Sequence, residues 1–209
     1  MKYFKYFLFL TILCLSGCAI TYLETIKNPE FSQIKKEYKN LLIVFPFSKI
    51  KTRKKVEQIF VKEFNRLLNI KAISGIEVFP PFKDYNQQEI TEILIKNNID
   101  SALILTFQSC DTKEHYIPQF YSATFGSISQ IGNSIYYKNF KYGQSGYYTY
   151  ENIVNFEISL FDRETDKIVW LAVSTTEGDE FCNFVDIIKS LADKVAEQLI
   201  KEGIIERKK

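Results

Sequence analysis

Apolar residues follow two rhythms along this chain. Leu41-Leu42-Ile43-Val44-Phe45-Pro46-Phe47 is nearly continuous and ends beside a proline, which suits a central strand buried on both faces. From Thr52 to Asn69 the rhythm changes. Val56, Ile59, Phe60, Phe64, Leu67 and Leu68 form one helical stripe, with Lys54, Lys55, Lys62 and Arg66 turned to water. Ile76-Glu77-Val78-Phe79 reads as a short second strand broken by Pro80-Pro81. Asn86 followed by Glu89 is a capping-box pattern, and Asn97-Asn98 is a left-handed stop for the helix between them. Ala102-Leu103-Ile104-Leu105-Thr106-Phe107 is a third buried strand. The order β-α-β-α-β favours parallel strands joined by right-handed crossovers.

The second half alternates instead. Val154, Phe156, Ile158 and Leu160 interleave with Asn155, Glu157 and Ser159, a strand with one dry face. The run 162–167 turns the chain, and Ile168 to Thr175 returns as its hairpin partner. Trp170 alternates with Ile168 and Ala172 and reads as core. The stripe from Phe184 to Ile200 is the clearest helix in the sequence, ended by Gly203. The fold class is therefore α/β (α+β): a single domain, residues 41–205, with a mixed β-sheet, a hairpin and a C-terminal helix. Residues 18–40 show no clean period and read as a tether, with a short helix around Phe31–Tyr38.

Between the third strand and the hairpin lies an insertion, residues 111–150, too long for a simple connection. Tyr116 to Tyr150 holds eight of the thirteen tyrosines, and its only charges are Lys138 and Lys141. Gly132-Asn133 suits a turn between arms Phe120–Ile131 and Ser134–Tyr142. The arms have the length of membrane-spanning strands, but polar residues interrupt both sides of each, which argues against a pore-forming hairpin. Tyrosines without acidic neighbours suit protein and sugar contacts, because each ring offers broad area and one polar handle. The candidate interaction residues are Tyr121, Phe125, Tyr136, Tyr137, Phe140, Tyr142, Tyr147 and Tyr148. The alternative is that these rings pad the domain's own sheet.

The N-terminus adds an address. Lys2 and Lys5 precede an uncharged apolar run from Phe7 to Leu15, then the small residues Ser16 and Gly17. As a helix that run spans about 14 Å, against roughly 30 Å for a bilayer core. Leu15-Ser16-Gly17-Cys18 resembles the end of bacterial lipoprotein signal peptides at all four positions. The resemblance implies cleavage after residues 1–17, diacylglycerol on the Cys18 sulfur and an acyl chain on the new N-terminus. With Ala at position 19 rather than Asp, it also implies an outer-membrane anchor facing the periplasm. Several acyl chains hold a protein stably where one does not.

Composition narrows the partners. Lys2 and Lys5 leave with the signal, so 27 basic residues become 25 against 25 acidic ones, and nothing favours nucleic acid. With Cys14 lost and Cys18 acylated, Cys110 and Cys182 remain in a compartment where disulfides persist. Both fall at the sheet edge that carries the insertion, so they are expected to approach bonding distance, although two separate buried thiols also fit. His115 beside Glu114 and near Asp111 lacks the further ligands of a metal set and reads as an exposed loop residue. Glu177, Asp179 and Glu180 read as a solvated loop. No phosphate loop, nucleophile elbow or Cys–His pairing appears, so no enzyme, no metal and no cofactor beyond the covalent lipid are expected.

Four stretches carry a wider resemblance: Phe45-Pro46-Phe47; Asn98-Ile99-Asp100-Ser101-Ala102-Leu103-Ile104; Phe161-Asp162-Arg163-Glu164-Thr165-Asp166-Lys167-Ile168-Val169-Trp170; and the terminal helix. In these the chain resembles bacterial envelope lipoproteins that share the fold of the TolB N-terminal domain, the group of CsgG, PelC and LpoB. It departs from CsgG in the central insertion. The resemblance implies a lipid-anchored binding or accessory protein in envelope assembly, secretion or wall synthesis, with an envelope protein or glycan as partner. The runner-up is a homo-oligomeric export ring like CsgG or PelC. A glycan-modifying enzyme is the third reading, and it requires a cleft that gathers distant carboxylates.

Overall fold

A computed structural model describes residues 19–31, 36–46, 49–82, 84–117, 120–131, 134–144 and 147–209, with side chains described outside 117–147. The strands are β1 (Ala19–Lys27), β2 (Asn40–Val44), β3 (Lys71–Ser74), β4 (Ser101–Ile117), β5 (Phe120–Ile131), β6 (Ser134–Gln144), β7 (Tyr147–Asp162) and β8 (Lys167–Gly178). The helices are α1 (Ile50–Leu67), the single turn α2 (Gly75–Val78), α3 (Gln87–Lys96) and α4 (Phe184–Lys201). Six strands form one mixed sheet in the order β1-β8-β7-β4-β2-β3, and β5 pairs with β6 separately. β2 runs parallel to β3 and β4, while β1, β8, β7 and β4 are antiparallel neighbours. This is the mixed, single-domain α+β architecture that the sequence pattern predicts.

The core lies on one face of the sheet, under α1 and α4. Leu41 and Ile43 of β2, Leu103 and Leu105 of β4, Ile158 and Leu160 of β7 and Trp170 of β8 are buried against Phe60, Phe64, Leu191, Val195 and Leu199. Trp170 also donates its indole N–H to Glu202 Oε2 at 3.2 Å, so its polar edge is satisfied where the ring is dry. Asn183 caps α4 by accepting from the Val185 and Asp186 amides. The stops sit where the sequence puts them: Asn98 takes φ 53° after α3, and Gly203 takes φ 68° after α4. The capping box of Asn86 and Glu89 is formed.

Two expectations need correction. Residues 19–27 are no tether but the edge strand β1, paired along its whole length with β8 from Ala19↔Gly178 to Lys27↔Trp170. Its inward side chains are Thr21, Leu23 and Thr25, and the hydroxyls find partners. Thr21 Oγ1 lies 3.0 Å from Thr176 Oγ1 and 2.9 Å from Ser190 Oγ, and Thr25 donates to Glu202 Oε1 at 2.7 Å. Ile20, Tyr22 and Ile26 face outward and are exposed. A strand with hydroxyls inside and apolar residues outside shows no inward apolar period, so the pattern hides it. Of the expected helix around Phe31–Tyr38, residues 32–35 lie outside the described residues; a 3-10 turn spans Pro29–Phe31, and 36–39 is irregular.

The second correction moves a strand. Lys71–Ser74, not Ile76–Phe79, pairs with β2, and Gly75–Val78 is a helical turn. The buried carboxylate of Glu57 imposes the change. It accepts from the Phe45 amide (3.1 Å), Arg53 Nε (2.9 Å), Ser74 Oγ (2.7 Å) and the Ile76 amide (2.7 Å). A buried charge tolerates burial only with such company. Glycine is required at Gly75, where a Cβ would come within 2.8 Å of the Ile43 carbonyl oxygen. β2 is also less symmetrically buried than expected: Val44 is half-exposed, as are Ala102 and Ile104 beside it on β4.

Candidate functional site

β4 and β7 form one antiparallel ladder from Ser101↔Asp162 to Ile117↔Tyr147. Their outer neighbours leave it early. β2 ends at Val44↔Ile104, and β8 ends at Asn152↔Gly178. Beyond the pair Thr112↔Asn152, β4 and β7 have only each other among the described residues, and they continue as a two-stranded ribbon for roughly 15 Å.

Cross-strand pairs hold this ribbon, since an isolated hairpin is marginal in water. Tyr116 and Tyr148 stand opposite each other with ring centroids 4.9 Å apart and planes tilted by 50°. Tyr150 lies opposite Glu114 and donates its phenol to Glu114 Oε1 at 3.1 Å. That hydrogen bond, together with the carboxylate charge, pushes the Tyr150 phenol above its ordinary pKa. These residues share one face by alternation, the face that carries Phe156 and Val154 farther down the ladder. On the other face, His115 Nε2 lies 3.1 Å from Glu151 Oε2. His115 is thus on a strand rather than a loop, and its acidic partner comes from β7. Among the described residues no cluster of three or more His, Cys, Asp or Glu could hold a metal ion.

A bulge sets this arrangement. The register shifts between Phe107 and Ser109, so the face of β4 that is buried lower down passes from odd positions (Leu103, Leu105) to even ones (Cys110, Glu114, Tyr116), which are exposed. Tyr148 of the sequence-derived set is thereby joined by Tyr116 and Tyr150, which that set omits. Their signal is the two-residue spacing of Tyr148 and Tyr150 directly ahead of the alternating strand. Tyr121, Phe125, Tyr136, Tyr137, Phe140 and Tyr142 lie on β5 and β6, whose register sets Phe125 opposite Phe140 and Tyr121 opposite Gly143. The side chains of those six and of Tyr147 lie outside the described residues, as do the turn Gly132-Asn133 and the segment Leu15-Ser16-Gly17-Cys18.

The expected bond between Cys110 and Cys182 is not formed. Cys110 is an exposed free thiol on β4, whereas Cys182 is disulfide-bonded, to a partner outside the described residues. Geometry explains the failure. Cys110 pairs with Val154 of β7, which pairs with Thr176 of β8, so two strand spacings of about 4.8 Å separate Cys110 from the strand leading to Cys182. Cys182 itself packs on Gly178, where an added Cβ would come within 2.8 Å of its own Cβ.

A concavity of about 680 Å³ opens between α3 and the back of the sheet, lined by Val44, Ile90, Leu94, Ala102, Ile104 and Phe161. Asp84, Asp162 and Asp166 border it. Asp162 is buried, with Lys36 Nζ 2.5 Å from Oδ1, and Oδ2 accepts from the Thr165 amide and hydroxyl. Burial alone would raise this carboxyl, but the hydrogen bonds from Lys36 and Thr165 outweigh it and hold Asp162 below its usual value. Burial raises the neighbouring Tyr38 phenol, and the Asp162 and Asp100 charges add to the shift. The other buried carboxylates among the described residues, Glu57 and Glu63, are held separately by Arg53 and Arg66. Among those residues no helix is long and apolar enough to cross a membrane.

No family model matches the chain, and no curated protein is similar to it in sequence. Among solved structures it is similar to the PelC dodecamer from Paraburkholderia phytofirmans, at 10% identity and TM-score 0.45, over 88% of this chain and 97% of that one. It is also similar to lipoprotein GNA1162 from Neisseria meningitidis, at 15% identity and TM-score 0.40, over 78% and 99%. A minor lipoprotein from Acinetobacter baumannii follows at 9% identity and TM-score 0.33, over 82% and 98%. Likenesses of this size carry no function across.

Proposed function

We propose that this chain is a lipid-anchored accessory protein of the bacterial envelope, held at the outer membrane on its periplasmic side, that acts by binding an envelope protein or glycan. The observation that carries the binding role is the ribbon. Two strands that bury Leu105, Ile158 and Phe156 in the body continue outward to expose Tyr116 (56%), Tyr148 (54%) and Tyr150 (46%), where they add nothing to the core. Broad rings with polar tips, set on a strand ladder, suit recognition. The anchor rests on Leu15-Ser16-Gly17-Cys18.

The test is capture from solubilised envelopes and purified peptidoglycan. Wild type is compared with a variant in which Ile117 joins Tyr147 through a short Gly-rich turn, and with Tyr116→Ser/Tyr148→Ser. Loss of a specific partner in both variants supports the reading, and equal capture by all three contradicts it. A detergent-extracted mass of eight or more subunits would move the reading to an export ring.

One observation favours a second reading, an exported protein without lipid. Cys182 packs on Gly178, the partner of Ala19, and is disulfide-bonded. A Cys18 sulfur in a thioether to diacylglycerol cannot also be half of a disulfide, so Cys18 can serve only one of the two readings.

A further inference from the structure

Helix α3 bridges a hollow. α1 buries five residues and α4 seven, whereas α3 buries none. Its apolar positions Ile90 and Leu94 look across the concavity of about 680 Å³ at Val44, Ala102, Ile104 and Phe161, and none of the six is buried. Yet both ends of the helix are pinned. The Asn86–Glu89 capping box fixes the first turn, and just before it Tyr85 donates to the Pro80 carbonyl at 3.0 Å and meets the Phe79 ring edge-on at 5.3 Å. After the last turn, Ile99 is buried and donates its amide to the Leu94 carbonyl at 2.9 Å. A helix held at both ends over a gap keeps that gap open, and its size is that of a ligand cleft.

The walls select the ligand. Their middle is aliphatic, with rings only toward the ends, Phe79 and Tyr85 at one and Phe161 at the other. A flat base or sugar would find no ring there to stack on. The hydroxyls on the lining are already engaged: Thr91 donates to the Gln87 carbonyl, and Ser101 to Asp100. Along α3 the lining is the single stripe Gln87, Ile90, Thr91 and Leu94, about 10 Å long and one chain wide. Such walls gain by leaving water for an extended aliphatic chain.

The charges lie at the two mouths. Asp84 and Arg53 border the mouth where α3 begins, and Arg53 is neutralised by Glu57. The other mouth is the turn after Asp162, which pairs with Ser101 just beyond α3. Around it Lys36 holds Asp162 and Glu164, Glu30 holds Lys167, and Asp100 accepts from the Lys39 and Asn40 amides. Arg163 and Asp166 also border the hollow, and neither side chain has a partner among the described residues. One guanidinium and one carboxylate in the same turn complement a phosphate and an ammonium.

We infer that this hollow is the seat of a single-chain zwitterionic phospholipid of the lysophosphatidylethanolamine class. Its acyl chain lies between α3 and the sheet, its phosphate meets Arg163 and its ammonium meets Asp166. The inference uses neither the ribbon nor the anchor, so it stands or falls apart from them.

The test uses the full-length protein in its own membranes and lysophosphatidylethanolamine with a diazirine in its acyl chain. Light should attach the probe to the peptides that carry Ile90–Leu94 and Ala102–Ile104, and excess unlabelled lysophosphatidylethanolamine should suppress this. Ala102→Trp fills the floor and Ile90→Asp places a charge in the wall, and circular dichroism checks that each is folded. In either folded variant, and in Arg163→Gln and Asp166→Asn, labelling should fall roughly tenfold through lost apolar or charge-assisted contacts. Labelling elsewhere only, or labelling in the hollow that the competitor does not suppress, overturns the site. Unchanged labelling of Arg163→Gln and Asp166→Asn, or stronger labelling by photoreactive palmitate, overturns the zwitterionic head. Equal labelling by a diacyl phosphatidylethanolamine probe overturns the single-chain assignment.

Discussion

Strands β4 and β7 pass through two environments on one hydrogen-bonded ladder. In the lower half, Leu103 faces Leu160 and Leu105 faces Ile158, all fully buried under α1 and α4. In the upper half, Glu114 faces Tyr150 and Tyr116 faces Tyr148, all exposed. Backbone pairing is the same in both. What differs is the covering layer, since the helices end their coverage before the strands stop. The lower half is held by burial at about 25 cal/mol per Å² of apolar surface, while the upper half has only cross-strand contacts of a few tenths to about 1 kcal/mol each. The body is thus built to stay folded and the ribbon to be met by something else.

Substitutions should separate the halves by size of effect. Trp170→Ala, in the body, should cost about 3–5 kcal/mol in denaturant unfolding, because it leaves a cavity under α4. A cost under 1 kcal/mol would mean that the body is not a packed core. Glu57→Ala should follow at about 3 kcal/mol, since it orphans Arg53, Ser74 and two backbone amides at the β2–β3 edge. Asn183→Ala should cost about 1 kcal/mol through the lost cap of α4.

Lys36→Met tests the body by pH rather than by size. Asp162 is held below its usual value, so its ionised form adds stability above the unfolded value, about 3.9, and this is lost as pH falls through the lowered one. Without Lys36 the burial of Asp162 is less well opposed, and the acid-unfolding midpoint followed by circular dichroism should move to higher pH. An unchanged midpoint would deny Lys36 that role. Smallest of all, Tyr148→Ala should stay within about 0.5 kcal/mol of wild type. A larger loss would make the ribbon part of the body and erase the contrast.

The body was largely legible in the sequence because its signals are local. Asn86 with Glu89 and Asn98 announce both ends of α3, and the apolar stripe from Phe184 gives α4 outright. What stayed hidden depended on long-range contacts. β1 carries threonines inward, and only Thr176, Ser190 and Glu202, far along the chain, reveal why. The second strand moved because Glu57 reaches the Ser74 hydroxyl and the Ile76 amide. The tyrosine run was visible, but the bulge at Phe107/Ser109 decides which rings share a face, and no turn residue marks it. Cys110 and Cys182 do not meet, because two strands of lateral distance do not show in an order of elements.

The most direct measurement is the mass of the N-terminal peptide of the protein taken from the membrane fraction. The account predicts a chain that begins at Cys18, with diacylglycerol on its sulfur and a fatty acyl group on its nitrogen. A chain cut elsewhere, or a Cys18 free of fatty acid and joined through its sulfur to Cys182, would contradict it.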